Sequence, residues 1–222
     1  MTRSVVLLCA STLSVLATAG CEEGSSSSSI AASVPKDSPN NVVLESCHSS
    51  DPEKICIGLK YVTYTDAQKK PVTDLALAKT NVAEFNRIWA KCGIAFQLER
   101  YDAIQPADFS LNYSVTGETD LIRRTFEEDT RFVIVSSGPF NFGSANAWTN
   151  SPGSPPYGVI VEANTANYAS VIAHELGHYM NLDHVGDSTN LMNAVIYSTG
   201  LTNSQCTAAR SSVRSFWPHM LR

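Results

Sequence analysis

The sequence predicts an α/β fold in which helices cover a twisted, mixed and mostly parallel sheet. Short β-branched and aromatic runs alternate with segments of helical period from Ile55 to Trp217, and strands interleaved with helices build such sheets. Residues 46–222 are enough for one hydrophobic core and too few for two. Hydrophobic residues make up 43% of the chain and charged residues 17%, with no long apolar run after residue 20. That composition suits a globular domain.

The elements follow in chain order. Ile55 to Tyr64 alternates with period two and is rich in β-branched and aromatic residues, so it reads as a strand. From Val72 to Cys92 the period becomes helical: Leu75, Ala78, Val82, Phe85, Ile88 and Trp89 recur at steps of three and four, and Gly93 is placed to end the helix. That spacing assigns Trp89 to the core. Ile94 to Leu98 is the next strand, Asp120 to Glu128 a short helix, and Arg131 to Val135 a strand apolar enough to be central. Gly158 to Glu162 is a further strand leading into a helix near Asn167. Thr202 to Trp217 forms the last helix, with Cys206, Ala209, Val213 and Phe216 on one face.

The helix after Asn167 carries the chemistry. His174-Glu175-Leu176-Gly177-His178-Tyr179-Met180-Asn181-Leu182-Asp183-His184 places three of the five histidines within eleven residues. Residues four apart share a helix face, so His174 and His178 can grip one metal ion from successive turns. His184 is too far along a continuous helix to join them, so the chain must turn first. Asn181 is where it can, since Asn enters the left-handed region more readily than most residues. Glu175 stands beside the first ligand, where a carboxylate can reach a water on the metal. A lone helical His is more often a core or surface residue than a ligand; the third His and the hinge make this pattern specific.

The pattern resembles the metzincin clan of zinc peptidases, whose signature H-E-x-x-H-x-x-G-x-x-H precedes a methionine turn. Asn181 stands where the clan has Gly, and Leu191-Met192-Asn193 supplies the methionine. The resemblance implies one Zn²⁺ held by His174, His178 and His184, Met192 beneath it, and Glu175 as general base and acid. It implies an upper subdomain to about residue 184 with a backing helix and an active-site helix. A lower subdomain, residues 185–222, would end in a helix. It also implies a peptide bound in extended form along an edge strand, for which Gly143-Ser144-Ala145-Asn146-Ala147-Trp148 is the candidate; Gly143, Ala145 and Ala147 would admit the peptide backbone closely. Val195 and Tyr197 fall where the clan walls a substrate pocket. Ala194 occupies the position at which some families place a Tyr ligand, and Val185 matches none of the common residues after the third His, so the motif points to a clan and no one family.

The N-terminal residues read as export and anchoring. Residues 1–20 combine basic Arg3, an apolar run from Val5 to Ala19 and a small-residue exit, the pattern of a signal peptide. Cys21 after Ala19-Gly20 resembles the lipid-bearing Cys of bacterial lipoproteins, with Thr18 where Leu is commonest. Residues 21–45, with five consecutive serines from Ser25 to Ser29, form a flexible tether. Glu22 is not the Asp that retains lipoproteins at the inner membrane, so the resemblance leans to the outer membrane. Residues 46–222 are then the catalytic domain, expected to act as a monomer on peptide or protein substrates.

Cysteines and charge agree. With Cys9 in the signal and Cys21 lipidated, Cys47, Cys56, Cys92 and Cys206 remain, an even number in an oxidising compartment. Four allow three pairings; Cys47–Cys56 and Cys92–Cys206 are favoured, one closing a short loop and one tying the first helix to the last. Without residues 1–20 the chain has 15 basic and 21 acidic residues, a net of about −6, which gives no reason to expect nucleic acid as a partner.

Three functions compete. The first is a zinc endopeptidase in which three neutral imidazoles leave Zn²⁺ one open position for water, whose proton Glu175 takes. The second is a catalytically silent peptide- or protein-binding module whose zinc is closed by a fourth protein ligand such as Asp183. The third, a zinc enzyme with a downstream Glu as third ligand, fails because Asp187 is the only acidic residue after His184.

Overall fold

A computed structural model describes Cys47, residues 51–166 and residues 168–222. The expected signal peptide, Cys21 and the tether, residues 1–45, lie outside the described residues. Strand β1, Ile55–Tyr64, is buried along its whole length. It pairs in parallel with β2 (Ile94–Ile104) on one side and β3 (Phe132–Ser136) on the other. β5 (Val159–Val161) is parallel to β3, and β4 (Ala147–Trp148) closes the edge antiparallel to β5. The order β2-β1-β3-β5-β4 makes the sheet mixed and mostly parallel.

Alternation along β1 feeds two cores. Ile57, Leu59 and Tyr61 join the larger core beneath the helices, whereas Val62 and Tyr64 face the smaller one. Helix α1, Leu75–Trp89, buries Ala78, Val82, Phe85 and Trp89 against the larger core. It starts three residues later than the hydrophobic period suggests. The amides of Val72 and Thr73 are bound to the end of β1, to Tyr64 O at 2.9 Å and Thr63 Oγ1 at 3.0 Å, and Asp74 caps the helix through Leu77 N. A short 3-10 turn, Ala90–Cys92, follows, and Gly93 ends it at φ +64°.

β2 runs six residues beyond Leu98, the end its sequence suggests. The extension is charged yet buried. Arg100 pairs with Asp102 at 2.7 Å, and Glu99, the extra residue at a bulge opposite Leu59 and Lys60, is held by Arg131 and Arg222. Helix α2, Thr119–Phe126, covers the second core with Ile122 and Phe126.

Helix α3, Ala169–Tyr179, packs on α1, and Trp89 Nε1 donates to Ala173 O at 3.3 Å across that contact. Helix α4, Asn203–Phe216, starts on a reciprocal cap between Thr202 and Gln205. Its buried face is Cys206, Ala209, Ser212 and Val213. Phe216, expected on that face, is 51% exposed, and Trp217 is buried instead at 7%. The helix stops at Phe216, and Trp217 turns inward to meet Tyr157 and Tyr179 with ring centroids 4.7 and 5.1 Å apart. Disulfides join Cys47 to Cys56 and Cys92 to Cys206, the second tying the end of α1 to α4.

Candidate metal centre

The three histidines converge. The Nε2 atoms of His174, His178 and His184 form a triangle with every side 3.1 Å. A tetrahedral ion about 2.0–2.1 Å from each nitrogen would set them roughly 3.3 Å apart, so the donor set fits zinc with little adjustment. The turn that delivers His184 is at Asn181, whose φ is +66°. Leu182 N reaches back to Gly177 O at 2.9 Å and closes the end of α3.

Backbone carbonyls fix the ring tautomers. His174 Nδ1 lies 2.7 Å from Leu191 O, and His178 Nδ1 lies 2.7 Å from Leu182 O. Each Nδ1–H can donate there, which leaves the Nε2 lone pairs turned inward. Burial lowers the pKa of His174, and burial with the neighbouring His174 lowers that of His178 to about 4. Both rings are therefore neutral near pH 7, the form a metal binds. Among the described residues no Cys, Asp or Glu joins the cluster, and Asp183 stays outside it. Among the described residues no fourth His, Cys, Asp or Glu is therefore placed to close the site.

Met192 is fully buried, and its thioether packs on Gly177, between the two helical ligands. A Cβ at residue 177 would collide with that sulfur, so Gly177 is what allows the turn beneath the helix. The turn is itself anchored: Asn190 Oδ1 accepts from Met192 N at 2.9 Å, and its side-chain amide pairs twice with Gln205 of α4. The sequence reading missed Gly177 and Asn190. Gly177 is a helix-interior glycine, a costly choice without a packing reason.

Glu175 is buried at 7% exposure, and burial pushes its pKa up to about 7, tempered by Thr149 and by Arg123. Arg123 is fully buried on α2. Its guanidinium donates to Gly158 O at 2.8 Å, Trp148 O at 2.9 Å and Asp120 at 3.1 Å, tying α2 to the edge strand β4 and to the start of its neighbour β5. Arg123 carries no motif, so only its distant partners reveal it.

The candidate substrate positions fall on two segments, one at the sheet edge and one after Met192. Of Gly143 to Trp148 only Ala147 and Trp148 form strand; Gly143 turns at φ +59°, and Ala145 lies in irregular chain. β5 is three residues long and offers no backbone partner for a longer edge. Ala147 is half-buried at that edge. Val195 and Tyr197 are exposed on the segment after Met192, Tyr197 at 76%.

Residues 58–209 match the family model described as Matrixin. Among solved structures the fold is similar to archaemetzincin from Methanopyrus kandleri, at 13% identity and TM-score 0.49, over 71% of this chain and 96% of that one. It is also similar to metalloproteinase-II from Bacteroides fragilis, at 13% identity and TM-score 0.50, over 79% of this chain. There the match spans only 58% of the Bacteroides chain, so the likeness is one of fold across part of that protein. No curated protein matches in sequence.

Proposed function

The chain belongs to the matrixin family within the metzincin clan, and on that premise we propose that it is a zinc metalloendopeptidase. The observation that carries the reading is the equilateral Nε2 triangle of His174, His178 and His184, each side 3.1 Å. Zinc held there supplies Lewis acidity, lowering the pKa of a water and polarising the scissile carbonyl. Glu175 takes the proton of the attacking water on its carboxylate and passes it to the leaving amine nitrogen. Its burial supports that role, because a base works best when its pKa lies near the working pH. The carbonyls of Leu191 and Leu182 keep His174 and His178 in the ligating tautomer through the cycle.

A peptide substrate lies along the exposed edge of β4 by strand addition. Ala147 lines that edge, Gly143 and Ala145 border its approach, and Val195 and Tyr197 wall the far side. The protein is exported by residues 1–20, lipidated at Cys21 and held at the outer membrane by the tether of residues 21–45, acting as a monomer.

A proteome-derived peptide library tests the enzymatic reading. Wild-type protein should cleave internal bonds, and Glu175→Gln should keep the metal and cleave none. A Glu175→Gln variant as active as wild type would overturn it.

A further inference from the structure

The edge strand β4 is two residues long, and its ladder to β5 joins only Ala147 to Val161 and Trp148 to Ile160. So short a ladder does not by itself fix where a strand lies. One end is held at Asn146 O, which accepts from Glu162 N at 3.0 Å and from Thr165 Oγ1 at 3.1 Å. The other end is held by α2, which lies across the sheet from α3. Arg123 donates to Trp148 O at 2.9 Å and to Gly158 O at 2.8 Å, so one guanidinium spans the connection from β4 to β5. Asn150 Nδ2, two residues beyond Trp148, donates to Pro156 O at 3.0 Å and to Asp120 at 3.3 Å. Asp120 also accepts from Arg123 at 3.1 Å.

Arg123 is a costly anchor, because its side chain is wholly buried while the carboxylate of Asp120 is 56% exposed. What that anchor fixes is the strand edge. The bond from Glu162 N to Asn146 O makes these residues a bonded pair, and bonded and non-bonded pairs alternate along an antiparallel ladder. Ala147 therefore turns its amide and carbonyl away from β5, to the free edge where an added strand would pair. Trp148 O, gripped by Arg123, is one peptide unit away. β4 also packs on α3, the helix that carries His174 and His178. We propose that Arg123 is a positioning residue for the substrate. Its hold on Trp148 O and Gly158 O sets the height of the β4 edge over α3, and so where an extended peptide meets the three imidazoles. The assignment rests on the peptidase reading above, with the substrate along β4. Arginine suits the task because its rigid fork reaches acceptors on three separate segments at once, which a lysine ammonium does not reproduce.

The test uses the full chain loaded with zinc and two probes that both ligate the metal. Acetohydroxamate engages the metal and its immediate surroundings, whereas a tri-alanine hydroxamate also lays a peptide backbone along β4. Arg123→Lys should weaken the tripeptide probe about tenfold and acetohydroxamate less than about twofold, with zinc content unchanged. Amide hydrogen exchange over residues 147–150 should quicken about tenfold or more, while that of α3 stays as in wild type. Asp120→Ala, at an exposed side chain, loosens Arg123 and Asn150 together and serves where Arg123→Lys does not fold. It should weaken the tripeptide probe about threefold and spare acetohydroxamate.

Equal weakening of both probes means that the change reaches the metal centre itself, and unchanged exchange over residues 147–150 means that β4 does not hang on Arg123. Either result overturns the proposal. Variants that keep the wild-type preference for the tripeptide probe overturn it alone and leave the peptidase reading intact. A wild type that binds the tripeptide hydroxamate no more tightly than acetohydroxamate refutes substrate binding along β4, and the proposal falls with it.

Discussion

Replacing Gly177 by Ala should disturb the metal centre from below, although Ala is the better helix former. In an open helix interior the exchange would stabilise by about 1 kcal/mol. Here the new Cβ falls on the Sδ of Met192, with Trp89 Cζ2 already in van der Waals contact at 3.6 Å. Met192 is flexible in principle, but it is 0% exposed and has no solvent to move into. Over-packing at such a site costs about 1–3 kcal/mol, so the net effect is a loss of roughly 0–2 kcal/mol.

The metal should register the change more strongly than the fold. Leu191 O, one residue from Met192, holds His174 Nδ1 at 2.7 Å, and Val185 N, next to His184, binds Met192 O at 2.9 Å. Displacing the turn therefore displaces two ligands, and a disturbed support of this kind lowers metal affinity about ten- to a hundredfold. Urea denaturation of the metal-free variant gives the first quantity and zinc competition against a chromophoric chelator the second. A Gly177→Ala protein stabilised by about 1 kcal/mol with wild-type zinc affinity would refute the reasoning.

Three further outcomes are expected. Asn181→Gly should be nearly neutral in thermal denaturation, whereas Asn181→Val should cost about 1–2 kcal/mol, since the residue sits at φ +66°; equal stability of the two variants would contradict the hinge. Replacing Cys92 and Cys206 together by Ala should cost about 4–5 kcal/mol in denaturant unfolding, because the bridge closes a separation of 114 residues; a loss under about 1 kcal/mol would show that the unfolded chain is not constrained this way. Burial alone would raise the pKa of Glu99, but Arg222 and Arg131 outweigh it and hold the carboxyl below its ordinary 4.5. The stability this confers is fully present above pH 4.5 and lost as pH falls through the folded value, so wild type should lose its margin over Glu99→Gln on acidification, and a margin constant with pH would disprove the coupling.

The sequence disclosed the fold wherever one side-chain pattern decided an element. β1 was readable end to end because ten residues keep one alternation, and Asn181 was readable as a hinge because few residues accept its conformation. The second half of β2 was hidden, since Glu99, Arg100 and Asp102 look like solvent-facing charges. They are buried only because residues far along the chain, Arg131 and Arg222, or a neighbour on the strand, neutralise them. The start of α1 was blurred by Val72 and Thr73, which continue the apolar pattern but spend their amides on β1. Around the metal the ligands have a fixed spacing and could be found. Gly177, Asn190 and Arg123 act through contacts between separate elements, and no local pattern marks them.

Elemental analysis of zinc per chain, on wild type and Glu175→Gln purified without added metal, tests the central claim most directly. About one zinc should accompany each chain in both proteins, because the ligands are His174, His178 and His184 and the carboxylate is not among them. Protein that is free of zinc and fails to take it up when titrated would contradict the account.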